Sequence, residues 1–186
     1  MVTAGSDVEG VILGPDGLAA GLAPGSVLVD CSTIAPDAAR RLAAHLAGRG
    51  VAFLDAPVSG GAQGARDATL AIMAGGDAEA LERVRPLLEC LGKRIVHVGP
   101  SGAGQVAKVC NQIIMVAAIQ AAAEAVHLAA AAGADPARVR QALAGGSAAS
   151  RVLDVMGERI VCRDFAAGIE ARLHHKDFGL ALEAAR

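Results

Sequence analysis

The chain has 186 residues, of which 53% are hydrophobic, and its formal net charge is −2. This balance is typical of a packed globular protein and excludes the basic surface by which nucleic-acid-binding proteins are recognised. Aromatic residues make up only 2%, with no Trp or Tyr, so platforms on which bases could stack are also lacking. We therefore expect no nucleic-acid partner.

The cysteine pattern favours a reducing compartment. Cys31, Cys90, Cys110 and Cys162 form no C-x-x-C pair, and three of them lie in apolar segments. Buried free thiols are therefore expected rather than disulfides or metal ligands. The first residues lack the basic and apolar regions of a signal peptide, and the predicted location is the cytoplasm.

Short apolar runs alternate with helical patterns over the first hundred residues. The runs predicted as strands are residues 27–31, 51–55, 69–73 and 95–98. The predicted helices are residues 6–13, a segment from Pro36 to Gly48 or Gly50, and a segment from Asp77 to near Gly92. Residues 59–64 are predicted as a glycine-rich loop. Strands separated by such helices predict parallel βαβ units and an α/β fold.

The second part of the sequence is predicted to be all helical. Residues 105–132 contain no Gly or Pro, which predicts one helix of roughly 40 Å with Gly133 at its end. Further helices are expected over 136–145, 150–160 and 176–186. We therefore expect an α/β domain over residues 1–102 and an all-α domain over residues 103–186.

The long predicted helix is apolar enough to resemble a membrane span. However, Gln120, Glu124 and His127 recur at helical spacing and form a polar stripe along it. An amphipathic helix outside a membrane is therefore the prediction.

Lys108 and Asn111 are the two polar residues that draw attention in the first turns of this helix. Residues three apart lie on one helix face, so both side chains point to the same spot. A single lysine is usually solvated, but Lys108 has apolar neighbours on both sides, and a partly desolvated lysine shifts its pKa readily. This favours a functional role for Lys108.

Residues 102–107 match the dinucleotide-binding pattern G-x-G-x-x-A, which opens a helix after a strand. That pattern also needs a second strand after the helix, ending in an acidic residue. Here Glu124 lies inside a helix and no strand is predicted to follow it. Close packing of the helix on the sheet is the preferred interpretation of these glycines.

Two polar segments follow predicted strands. Residues 55–61 read DAPVSGG and residues 30–33 read DCST. Ligands in open α/β sheets bind beyond the carboxyl ends of strands, and successive glycines expose backbone N–H groups to anions. Either segment alone could be a turn, but beside Lys108 and Asn111 the first predicts a carboxylate pocket.

The pair His174 and His175 could suggest a metal site. Adjacent residues point apart on a helix, and no third ligand has suitable spacing. No metal is therefore expected.

Taken in order, these motifs resemble the β-hydroxyacid dehydrogenase family: DCST at 30–33, DAPVSGG at 55–61, G-x-G-x-x-x-K-x-x-N at 102–111, and Lys176–Asp177. The resemblance covers nearly the whole chain. The sequence departs from the family after Phe165, where Ala167 and Ile169 replace the usual Pro and Phe.

The resemblance implies a role for each matching residue. Lys108 would be the catalytic lysine, and Asn111 would bind substrate beside it. Ser59, Gly60 and Gly61 would hold the substrate carboxylate. The residues expected near the cofactor, NAD or NADP, are Ser32, Thr33 and Lys176.

The implied activity is the reduction of a small carboxylated aldehyde by a nicotinamide cofactor. Residues 145–150 and 173–177 resemble the branch that reduces tartronate semialdehyde to glycerate, with the 3-hydroxyisobutyrate dehydrogenases as the alternative. A non-catalytic remnant that only packs or oligomerises is the alternative of another class.

Both ends of the sequence lie close to predicted elements, and the N-terminal fingerprint of the family does not appear. We therefore expect a fragment of a longer protein, inactive by itself, whose full-length form is a homo-oligomer.

Overall fold

The structure is a computed structural model that describes residues 1–166, 168 and 170–185. Ala167, Ile169 and Arg186 lie outside the described residues, and with them the departures from the family after Phe165 and the end of the last predicted helix. The chain forms two compact units. One comprises Met1–Cys110 together with the segment from Lys176 onward, and the other is Asn111–His175. The predicted domain boundary after residue 102 stays a prediction.

The first unit contains a five-stranded sheet. Its strands are β1 (Val27–Asp30), β2 (Ala52–Asp55), β3 (Val58–Ser59), β4 (Leu70–Gly75) and β5 (Gly92–Gly99). Their order is β1-β2-β4-β3, and β5 also pairs with β4. The α/β fold predicted from the alternating pattern is confirmed.

The sheet is mixed rather than purely parallel. The pairs β1–β2 and β4–β5 are parallel, as predicted, but β4 runs antiparallel to β2 and β3. The reason lies in the short connection between β3 and β4, since a parallel crossover needs about a dozen residues or more. That connection was predicted as a glycine-rich loop, which is wrong in part, because it contains a short helix, α4 (Gly61–Arg66).

Helices cover the sheet of this unit. The remaining ones before residue 100 are α1 (Gly5–Leu13), α2 (Leu18–Gly21), α3 (Pro36–Ala47) and α5 (Ala78–Glu89). Pro36 begins α3, where its missing N–H costs nothing, and the Asp77 carboxylate caps α5 by accepting from Ala80 N at 2.8 Å.

The core divides into two apolar clusters, one on each face of the sheet. Phe53 packs in the cluster with Leu42 and Leu46 of α3, whereas its neighbour Leu54 packs in the cluster with Leu81 of α5. Successive strand residues point to opposite faces, so β2 is buried on both.

The next helix, α6 (Ala103–Ala131), has 29 residues and begins in the first unit. Its predicted extent is confirmed, as is the turn that follows, in which Gly133 has a φ of 77°. By length and composition alone α6 could cross a membrane, which is weak evidence of a membrane protein. The polar stripe is present, since exposed Gln120 donates from Nε2 to Glu124 Oε1 at 2.8 Å.

Beyond α6 every element that the structure describes is helical. The elements are α7 (Pro136–Ala144), a π-helical turn (Leu153–Gly157), α8 (Glu158–Val161) and α9 (Ala171–Ala184). The Asp135 carboxylate caps α7 by accepting from Ala137 N at 2.9 Å. The predicted last helix begins earlier than expected, at Ala171.

The four cysteines are free thiols, as predicted, but the prediction that they are buried is wrong for most of them. Cys90, Cys110 and Cys162 are exposed and Cys31 is half-buried. Small apolar neighbours made these positions look interior, whereas Cys90 and Cys110 lie on the solvent side of helical segments.

Candidate active site

Lys108 lies in the second turn of α6 and is only 9% exposed. Its Nζ donates a hydrogen bond to the carbonyl oxygen of Val58 in β3 at 2.8 Å. Val109, its neighbour on the helix, is 6% exposed. The side chain predicted to be catalytic is therefore buried in the first unit, with its charged end held by a backbone carbonyl.

Burial lowers the pKa of Lys108 below the ordinary lysine value, because desolvation disfavours the charged form. The carboxylate of Asp177 opposes this effect and the ammonium of Lys176 adds to it. A lysine with a lowered pKa releases its proton more readily than a solvated one, which suits a role in proton transfer.

The start of α6 is held by the carboxylate of Asp55, which is fully buried at the end of β2. Asp55 Oδ1 accepts from Gly102 N at 2.7 Å, and Oδ2 accepts from Gln105 N at 2.9 Å. Burial raises the pKa of Asp55, and the backbone N–H groups of Gly102 and Gln105 oppose that rise. A carboxylate in this position satisfies N–H groups that lack partners within the helix.

The glycines of residues 102–107 pack against the sheet, as preferred from the sequence. A Cβ at Gly104 would lie 2.3 Å from Met73 O and 2.5 Å from Asp55 O. Gly102 has a φ of 90°, which favours glycine. The N–H groups of Gly102 and Gln105, which would face a phosphate in that pattern, are already bound by Asp55.

The segment predicted to bind a carboxylate follows Val58 directly. Ser59 ends β3 and is half-buried, whereas Gly60 and Gly61 are exposed. Gly60 and Gly61 have φ values of 140° and 63°, so both adopt backbone conformations that favour glycine. The hydrogen bond from Lys108 to Val58 thus brings the lysine beside this segment.

The residues predicted to lie near the cofactor form a second cluster, at the end of β1. Ser32 is 1% exposed, and its Oγ accepts from Val2 N at 2.9 Å. Thr33 is half-buried, and its carbonyl oxygen accepts from Lys176 Nζ at 2.7 Å. Lys176 also donates to Thr3 O at 3.2 Å and pairs with Asp177 at 3.2 Å. The structure therefore brings Ser32, Thr33 and Lys176 together.

Asn111 begins the second compact unit, one helical turn after Lys108 on α6. Its Nδ2 donates to Gln112 Oε1 at 2.9 Å. Its predicted role in substrate binding stays a prediction.

Three residues of this region were given no role of their own from the sequence: Gln105, and Asp55 and Asp177, which were quoted only as parts of motifs. Gln105 is three residues before Lys108, so helical spacing could have drawn attention to it. The role of Asp55 depends on Gly102, a partner that is far away in sequence. Within the described residues, no group of three or more His, Cys, Asp or Glu side chains could hold a metal.

Two family models match the chain. Residues 1–99 match the NAD binding domain of 6-phosphogluconate dehydrogenase, and residues 102–186 match the model described as NAD-binding of NADP-dependent 3-hydroxyisobutyrate dehydrogenase. Together these models cover both the sheet and the helical part.

Curated relatives match over the whole chain. It is 50% identical to 2-hydroxy-3-oxopropionate reductase of Escherichia coli K12, covering 100% of the chain and 64% of the relative. It is 47% identical to NAD-dependent L-serine dehydrogenase of Pseudomonas aeruginosa and 43% identical to 3-hydroxyisobutyrate dehydrogenase of the same organism, covering 65% of each. The chain thus spans slightly less than two thirds of the length of these relatives.

Solved structures show the same fold. Mycobacterium tuberculosis 3-hydroxyisobutyrate dehydrogenase with L-serine superposes with a TM-score of 0.85 at 37% identity, covering 99% of this chain and 65% of that one. Psf3 in complex with NADP+ and 2-OPP superposes with a TM-score of 0.88 at 29% identity, covering 96% of this chain and 63% of that one. The matched models, the relatives and these structures agree, and the chain belongs to the NAD(P)-binding β-hydroxyacid dehydrogenase family.

Proposed function

We propose that this chain supplies the proton donor and the carboxylate-binding segment of an NAD(P)-dependent reductase of small carboxylated aldehydes. The observation that carries this proposal is the buried Lys108, whose Nζ lies 2.8 Å from the carbonyl of Val58, next to Ser59. A desolvated ammonium beside exposed backbone glycines is suited to a substrate that carries both a carboxylate and a carbonyl group.

In the proposed reaction, the nicotinamide cofactor supplies a hydride to the carbonyl carbon of the aldehyde when it is bound. Lys108 gives its proton to the carbonyl oxygen as negative charge develops there. Ser59, Gly60 and Gly61 hold the substrate carboxylate through hydroxyl and backbone N–H donors. Asn111 is proposed as a further substrate ligand from the family motif alone.

The described residues fit one part of a nicotinamide cofactor. Thr33 lies at the carboxyl end of a parallel strand, which is where open α/β sheets bind nucleotides, and Lys176 adds a positive charge there. Ser32 is buried, and its backbone carbonyl stabilises this turn by accepting a hydrogen bond from Gln105 Nε2. Residues 102–107 do not fit the cofactor phosphates, because their glycines are in contact with the sheet.

The proposed substrate is tartronate semialdehyde, reduced to glycerate. This choice is supported by residues 145–150 and 173–177, which resemble that branch of the family, and by the 50% identity to a 2-hydroxy-3-oxopropionate reductase. Methylmalonate semialdehyde, the substrate expected for a 3-hydroxyisobutyrate dehydrogenase, is the alternative supported by the 43% identical relative.

A hybrid enzyme tests this choice. These 186 residues replace the matching part of the Escherichia coli reductase, and a second hybrid uses the Pseudomonas aeruginosa 3-hydroxyisobutyrate dehydrogenase in the same way. We expect higher kcat/KM for tartronate semialdehyde than for methylmalonate semialdehyde in both hybrids, because the proposed substrate ligands come from this chain. A preference for the methyl-bearing aldehyde in both would favour the alternative.

We further propose a cytoplasmic location and a homo-oligomeric state for the active protein. Sedimentation of the active hybrid measures the second property directly, and a monomer would contradict it. If both hybrids fold and bind cofactor but reduce neither aldehyde, the chain is better described as a non-catalytic remnant.

A further inference from the structure

We propose that Asp55 and Gln105 are positioning residues that fix Lys108, through buried hydrogen bonds joining the first turn of α6 to the ends of β1 and β2. The proposal rests on the proposed role of Lys108 as proton donor. It goes beyond that role because neither Asp55 nor Gln105 needs to touch substrate or cofactor.

The side chain of Gln105 is fully buried and uses both ends of its amide. Its Nε2 donates to Ser32 O at 2.8 Å, and its Oε1 accepts from Ile34 N at 3.1 Å. Because donor and acceptor are both engaged, the amide has one favourable orientation. Gln105 therefore joins α6 to the turn that follows β1.

Asp55 acts on the same helix turn from the end of β2. Its two carboxylate oxygens accept from Gly102 N and Gln105 N, at 2.7 Å and 2.9 Å. A negative charge at this end of a helix is favourable because the first N–H groups carry partial positive charge. The backbone of Gln105 is thus held by the end of β2, and its side chain is held by the turn that follows β1.

These contacts bear directly on Lys108. Gln105 and Lys108 are three residues apart and share one face of α6. Rotation of the first turn that broke the Gln105 contacts would also move Lys108 away from Val58 O. The close approach of Gly104 to Asp55 O and Met73 O prevents the helix from settling deeper against the sheet. The Gly104 contact thus limits the depth of α6, and the hydrogen bonds of Asp55 and Gln105 fix the rotation of its first turn and so the position of Lys108.

The charged groups that face Lys108 lie on α9, and one of them touches this network, since Lys176 Nζ donates to Thr33 O between the two residues that Gln105 binds. Asp177 and Lys176 of α9 act on its charge, and β3 contributes the uncharged carbonyl of Val58. All three remain when Gln105 is replaced. A change in the pKa of Lys108 in such a variant therefore reports a change in its burial or in its position relative to these groups.

The test uses Gln105→Met in the 186-residue chain, which keeps the length of the side chain and removes both hydrogen bonds. The pKa of Lys108 is measured by following its Cε in proton–carbon NMR spectra as pH is raised, with Lys108→Arg identifying the signal. We expect a wild-type pKa below the ordinary value of about 10.4, and a rise toward that value in Gln105→Met. Gln120→Met, at an exposed position of the same helix, is the matched control and should leave the pKa unchanged.

A variant that unfolds at lower temperature but leaves the pKa of Lys108 as in wild type would show that Gln105 is merely structural, and would overturn the proposal. Asp55→Asn provides the second variant. The NH₂ group of asparagine replaces one carboxylate oxygen and cannot accept from the backbone N–H that faces it. Its expected effect on Lys108 has the same sign.

Hydrogen exchange in the wild-type chain tests the proposal without any substitution. The amides of Ile34 and Gln105 should exchange as slowly as those of the buried strand β2. Fast exchange at these two amides would contradict the proposal even if every variant failed to fold. None of these readouts requires catalysis, so they can succeed or fail separately from the proposed function.

Discussion

Lys108 Nζ and Val58 O are joined by a 2.8 Å hydrogen bond between the second turn of α6 and the strand that leads into Ser59. This contact places the proposed proton donor beside the proposed carboxylate-binding segment. It also gives the buried ammonium an acceptor when no substrate oxygen is present. A bound substrate can take the place of that acceptor without leaving the lysine unpaired.

The lowered pKa of Lys108 predicts the pH dependence of the reaction. Reduction needs the protonated lysine, so kcat/KM for the aldehyde should fall as pH rises through a value below about 10.4. Oxidation of the hydroxy acid needs the neutral amine and should rise over the same range. Rate profiles of the active hybrid measure both directions. A reduction rate that stays constant up to the ordinary lysine pKa would contradict this prediction.

The raised pKa of Asp55 predicts that its contribution to stability decreases as pH rises. A paired surface carboxylate, whose pKa is lowered, has the opposite effect. Its folded pKa is raised by burial, so between about 3.9 and that raised value the folded state binds more protons than the unfolded state. The stabilising contribution of Asp55 is therefore greatest in acid and decreases as pH rises through the folded pKa. Denaturant unfolding of wild type and Asp55→Asn at several pH values measures the difference. We expect the free energy of unfolding of Asp55→Asn to rise with pH relative to wild type; a fall would contradict the assignment.

The contact between α6 and the sheet predicts that Gly104→Ala is destabilising. The added methyl group would lie 2.3 Å from Met73 O and 2.5 Å from Asp55 O, and overpacking of this kind costs about 1–3 kcal/mol. Gly10→Ala is the control, because it is also in a helix and its added methyl group meets nothing within 4 Å. That change should stabilise the chain by up to about 1 kcal/mol through helix propensity. Equal effects of the two substitutions on thermal unfolding would contradict the close packing.

The packing of residues 102–107 also predicts how the 186 residues behave when expressed alone. Their glycines are in contact with the sheet, so the G-x-G-x-x-A pattern cannot present a helix N-terminus to the cofactor phosphates. We expect no saturable binding of NADH or NADPH in the micromolar range, and no steady cofactor oxidation with tartronate semialdehyde. Fluorescence titration of the purified chain decides the matter. Saturable binding would show that these residues hold the cofactor phosphates by themselves, and would contradict the prediction.

Much of the fold follows from local patterns in the sequence. The strand at Val27 and the helices at Pro36 and Asp77 were predicted because buried runs and capping residues act within a few positions. The absence of Gly and Pro from residues 105–132 predicted α6 for the same reason. The antiparallel pairing of β4 could not be predicted, because it depends on the connection between β3 and β4. The sequence predicts a loop there, whereas the structure has the short helix α4.

The candidate site was predictable only where a chemical group stands out locally. Lys108 does so, as the lone cation in the apolar start of α6. Asp55 and Gln105 do not, because their partners Gly102 and Ser32 are distant in sequence. Tertiary hydrogen bonds of this kind leave no periodic signal, and only the folded chain shows them.

The most direct test of the central claim is the kcat of Lys108→Met in the hybrid built on the Escherichia coli reductase. Methionine keeps the length and apolar packing of the side chain and removes the group that carries the proton. We predict that kcat falls by at least roughly 10²-fold, with little change in cofactor affinity, because Ser32, Thr33 and Lys176 remain. A variant that keeps most of its kcat would show that another group donates the proton.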